Sequence, residues 1–137
     1  MSNAQDESEA FRLYWDWAFH EDNTMVDRGN FFFVGESMIF AGYAALFAVS
    51  GQSEAVARAI PVFCLIGAFI ALLWIYVHFI HQQTTMKPLK DILKGDPRYQ
   101  SIAGKRTYRL RINYVMGYVL PGSLLLTWII LLIISRI

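Results

Sequence analysis

The chain has 137 residues, 55% of them hydrophobic and 17% charged, with a formal net charge of +1. An average soluble domain is about 45–50% apolar and about 25% charged, so the length allows one small domain of unusually oily character. Near-neutrality argues against a nucleic-acid partner, and the single Cys64 excludes an internal disulfide.

The opening residues, MSNAQDESEAF, are acidic where a signal peptide needs a basic start and a greasy core, so none is expected. Residues 8–22, SEAFRLYWDWAFHED, bring Phe11, Tyr14, Trp15, Ala18 and Phe19 to one face of an amphipathic helix. Ser8 suits its N-cap and Glu9 its positive end. Aromatics of this density just before an apolar run point to an interfacial belt or to a contact with a neighbouring subunit.

Three apolar runs follow, at residues 30–50, 61–80 and 114–135. Each is long enough to make roughly 30 Å of helix at 1.5 Å per residue, the thickness of a bilayer's hydrocarbon core. Residues 61–80, PVFCLIGAFIALLWIYVHFI, hold no charged side chain, and residues 114–135 hold none either. The predicted fold is therefore an all-α integral membrane protein. It comprises a cytoplasmic N-terminal segment (1–29), three transmembrane helices, an external loop (51–60) and a cytoplasmic loop (81–113). That second loop carries Lys87, Lys90, Lys94, Arg98, Lys105, Arg106, Arg109 and Arg111 against only Asp91 and Asp96. Positive loops stay inside, so the N-terminus is expected in the cytoplasm and the C-terminus outside. Within the loop, Lys87 to Lys94 reads as a short basic helix ended by Gly95 and Asp96-Pro97; its charge serves first to set topology, with attraction to anionic lipid headgroups or to the acidic N-terminal segment as the alternative.

Glu36 interrupts the first run. An ionised side chain at mid-bilayer costs about 2.5–3.5 kcal/mol on the gentler scale, so Glu36 is expected to face an interior or inter-subunit surface. His78, at the matching end of the second run, is the first candidate partner. Asn113, Tyr114 and Tyr118 open the third run on the same side. Small residues mark close helix approaches: Gly35, Ser37, Ala41, Gly42 and Ala45 in the first span, Gly67 and Ala71 in the second. Pro121-Gly122 permits a bend in the third. His78 and His81 share a helical face with Trp74, but one chain supplies too few ligands for haem or zinc. No cofactor, metal or catalytic set is expected.

The arrangement DRGNFFFVGES, then IPVFCLIGAFIALLWIYVHFIHQQTTMKPLKDILKGDPRY, then VLPGSLLLTWII resembles the RipA-like family of small bacterial cytoplasmic-membrane proteins. The resemblance runs through most of the chain from Tyr14 onward. It implies a homo-oligomeric protein of the bacterial inner membrane without established catalytic activity. The expected function is accordingly a non-enzymatic, homo-oligomeric scaffold or assembly protein. An oligomeric ion or proton channel with Glu36 near the pathway, and an accessory subunit of a larger respiratory or photosynthetic membrane complex, are the alternatives.

Overall fold

The computed structural model describes residues 3–99 and 113–135. All its regular structure is helical. Helix α1 spans Asn3–Val49, 47 residues without a break. At 1.5 Å per residue that is roughly 70 Å, more than twice the hydrocarbon thickness of a bilayer. The aromatic N-terminal segment and the first span are thus one rod, and the charged end of that rod extends beyond the lipid.

A 3₁₀ turn at Ser50–Gln52 and extended backbone at Ser53 reverse the chain. Helix α2, Glu54–His81, then runs back along α1. It begins nearly two turns before the apolar run, with Pro61 inside it. A π-helical turn, Gln82–Met86, carries α2 directly into α3, Lys87–Lys94. Gly95 caps α3 by donating its N–H to the Leu93 carbonyl. Arg98 then grips Asp96, with Nη2 on Oδ2 at 2.6 Å and the backbone N–H on Oδ1 at 2.8 Å. The Arg98 hydrogen bonds hold the Asp96 carboxyl below its usual range. After residue 112 a second π turn, Val115–Val119, leads into α4, Leu120–Ile134. Pro121 explains that turn: its ring cannot tolerate the carbonyl four residues back, and a widened turn relieves the clash.

One seam organises the packing. Among the buried or half-buried positions of α1, one line runs through Phe11, Trp15, Ala18, Asp22, Met25, Gly29, Phe32, Glu36, Ile39, Tyr43 and Leu46, with others such as Val26, Phe33 and Phe40 on its flanks. The line alternates steps of four and three, the 3.5-residue period of left-handed helix packing. On the returning rod the matching positions are Ile60, Cys64, Gly67, Ala71 and His78, continued by Met86, Leu89 and Leu93. Between His78 and Met86 the seam takes two steps of four, through Gln82. The π turn there absorbs the extra residue, as it does at a stutter in a coiled coil.

The buried residues form two apolar cores. Ile60, Cys64 and Trp128 lie within the spans, flanked by Ile39, Phe40, Tyr43, Leu46 and residues of α4. Ala18, Leu89 and Leu93 form the other, under Phe11 and Tyr99, where the N-terminal half of α1 lies on α3.

Candidate intramembrane polar site

Trp128 stands in the middle of α4 and is fully buried. Its bulk fits because Gly67 lies opposite: a Cβ on Gly67 would overlap the indole. Phe40 tilts against the indole at a centroid distance of 4.2 Å, and Tyr43 meets it edge-on at 5.9 Å. In hydrocarbon an indole N–H has no water to bond and must find an acceptor in the protein. It finds Glu36: Trp128 Nε1 donates to Glu36 Oε2 at 2.7 Å. Glu36 is 2% exposed, and its Oε1 has no partner among the described residues. One hydrogen bond therefore ties α1 to α4 across a glycine of α2.

His78 is not the partner of Glu36. Phe32 stacks on Trp74 at 5.0 Å, which fixes the height of α1 against α2. Glu36 lies one turn past Phe32 in one direction and His78 one turn past Trp74 in the other. Two helical turns, roughly 11 Å, separate them along the bundle. His78 is buried beside Gly117, where a Cβ would overlap the imidazole, and Tyr118 packs on it edge-on at 4.8 Å. Trp74 Nε1 donates to the Met116 carbonyl at 3.4 Å, inside the π turn. Asn113 also serves another carboxylate, donating from Nδ2 to Asp22 Oδ1 at 3.0 Å. Beside it His81 Nε2 lies 3.8 Å from Glu21 Oε2. Tyr114 is exposed and touches only the Tyr118 ring among the ring contacts seen, at 5.5 Å. Of the polar residues expected to meet Glu36, none does.

The small residues divide. Gly67 and Ala71 are buried in the seam, and Gly42 abuts the Phe63 ring. Gly35 has open space where a side chain would stand, and Ser37, Ala41 and Ala45 are exposed. Outside the spans, Phe11 stacks on Trp15 at 6.2 Å and lies under the Arg98 guanidinium, 4.4 Å from its carbon. Trp15 meets Tyr99 edge-on. These aromatics cover α3 of the same chain, whereas Tyr14 and Phe19 remain exposed. Lys87 and Lys94 are exposed, with Lys94 on Asp91 at 3.0 Å, and Lys90 is half-buried. Arg106 and Arg109 lie outside the described residues. Among the described residues no three His, Cys, Asp or Glu side chains are grouped to hold a metal.

Trp128 is the residue that sequence reasoning missed. Its signal was present: an indole donor in mid-span, and one carboxylate in the first run with no cation near it.

Three helices long and apolar enough to cross a bilayer, packed on a 3.5-residue seam with a polar lock at mid-height, define a small helical integral membrane protein. Residues 8–87 match the octameric membrane protein family (8xMP), and the chain belongs to that family. Neither the curated proteins nor the solved structures yield a match.

Proposed function

We propose that this protein is a non-enzymatic scaffold that assembles as a homo-octamer in the bacterial cytoplasmic membrane. The observation that carries the reading is the family match, which spans nearly all of α1 and the whole of α2. The absence of a catalytic motif in the sequence and the RipA-like resemblance are in keeping with it. The basic segment before α4 supports a threading with the N-terminus and α3 in the cytoplasm and the C-terminus outside. Glu36 acts as a structural lock. Its burial inside a single chain, on an indole of the same chain, favours that role over one lining a shared conduit.

Mass measurement of the full chain in nanodiscs tests the assembly. A single species of eight chains is expected; a monomer, or a fixed complex with other proteins, overturns the scaffold reading. A reporter active only in the cytoplasm, fused after Ile137, should stay silent, and activity there would reverse the threading.

A further inference from the structure

The outer surface of α1 is not uniform. An open groove runs along it, lined by Asn30, Phe33, Val34, Ser37, Met38 and Ala41. The floor continues through Ala44 and Ala48, so Asn30, Val34, Ser37, Ala41, Ala44 and Ala48 are all exposed at alternating steps of four and three. The outer surface of α2 is the reverse. Val62, Leu65, Phe69, Leu72, Tyr76 and Phe79 stand out at the same alternating steps, each 47 to 64% exposed. Groove and ridge each cover about 26 Å at 1.5 Å per residue, close to the whole hydrocarbon depth.

We propose that the groove of one copy receives the ridge of the next, and that this seam closes the ring. The proposal rests on the octameric reading above. Copies arranged around an axis along the membrane normal keep every residue at one height. The Phe32–Trp74 stack supplies the height scale within a chain. Stepping outward from it, one residue along α1 for each residue back along α2, brings Asn30 level with Tyr76 and Val34 with Leu72. The same steps bring Ser37 level with Phe69, Ala41 with Leu65 and Ala44 with Val62. Five of the six exposed floor residues thus stand level with a large ridge residue, so α1 and the neighbour's α2 pack antiparallel with knobs in the groove. In lipid such packing rests on close van der Waals contact, which small floor residues allow. Asn30, a polar side chain otherwise turned to the membrane, gains the Tyr76 hydroxyl. A groove-to-ridge contact is head-to-tail, the kind that generates rings. Both surfaces lie within residues 8–87, the stretch that matches the octameric family, and α4 lies outside it.

The test uses the full chain in native membranes, with Cys64→Ala as background. Ala41→Cys together with Leu65→Cys, oxidised with copper phenanthroline, should give a ladder of cross-linked species up to eight chains. Either cysteine alone should give none. Dimers from Ala41→Cys alone would mean that groove faces groove and would overturn the proposal. So would an uncross-linked double variant that still has the mass of eight chains; that result leaves the octamer standing and moves its seam elsewhere. A monomeric mass for the unmodified protein removes the octamer and the seam together. As a second measurement, Ala41→Leu fills the groove at a position exposed in the single chain, so the chain still folds. It should lower the octamer fraction at least tenfold, and an unchanged fraction would overturn the proposal.

Discussion

The two apolar cores share one helix and one periodicity but sit in different solvents. Outside the spans, Leu89 and Leu93 close on Ala18 under Phe11 and Tyr99. Water surrounds that end of α1, where Glu9, Arg12 and Asp16 are exposed, so burying apolar area drives the contact at about 25 cal/mol per Å². Within the spans that force is missing, because lipid tails are as apolar as leucine. There the seam is built instead from Gly67 and Ala71, from an indole seated on a glycine, and from one hydrogen bond between α1 and α4. The seam that needs bulk in water needs shape and a polar lock in lipid.

The sharpest way to break the spanning half is Gly67→Leu. Its side chain would occupy the space of the Trp128 ring and push the indole off Glu36. A loss of about 3 kcal/mol or more is expected, at or above the top of the usual overpacking range. Reversible unfolding in detergent micelles measures it, and a loss under 1 kcal/mol would show that α4 can slide to make room.

In the aqueous half the corresponding change is a deletion. Leu93 is 1% exposed at the end of α3, and Leu93→Ala should cost about 2–3 kcal/mol, the lower part of the core-truncation range. The loss is local. Hydrogen exchange should quicken over residues 8–22 and 87–94 and stay unchanged over the spans. Equal quickening in both halves would mean that the two cores unfold as one unit, contrary to the comparison.

The sequence made the outline legible. Three spans follow from the lengths of the apolar runs, and Lys87–Lys94 with its Gly95 stop follows from turn chemistry. Local signals sufficed because each is read within a few residues. The continuity of α1 was not legible, since the change from charged to apolar residues near Asp27 marks a change of solvent and leaves the backbone helical. Nor was the partner of Glu36. Matching depths counted from the ends of the runs brought His78 to its level, but the real offset between α1 and α2 depends on how Phe32 seats on Trp74. Small residues carried the same ambiguity. Gly67 and Ser37 look alike in sequence, yet one is buried under an indole and the other faces outward.

Trp128→Phe sharpens the lock itself. Phenylalanine keeps much of the ring but no donor, and leaves Glu36 Oε2 buried without its one hydrogen bond. A stranded buried acceptor costs about 1–3 kcal/mol, so a loss of about 2 kcal/mol is expected in the same unfolding experiment. If the variant matches the parent, the bond contributes nothing and ring packing alone joins α4 to α1.

The smallest effect is expected at the other end of that bond. Glu36→Gln keeps the length of the side chain and an amide oxygen that accepts from Trp128 Nε1 as the carboxylate does. It also supplies an N–H₂ at the place of Oε1, which has no partner among the described residues. The lock survives and one unpartnered buried polar atom replaces another, so stability should change by about 1 kcal/mol or less, under the cost of stranding a partner anew. Octamer mass should be unaltered. Ion flux through liposomes carrying the variant should equal that of the parent, because a group that only joins two helices moves no charge. An unchanged octamer with altered flux or ion selectivity would overturn the structural role of Glu36 and give the carboxylate a part in conduction. Comparison with Trp128→Phe separates the two roles. A lock fails when the donor is lost and tolerates the amide, whereas a conducting carboxylate fails with the amide even though the donor is intact.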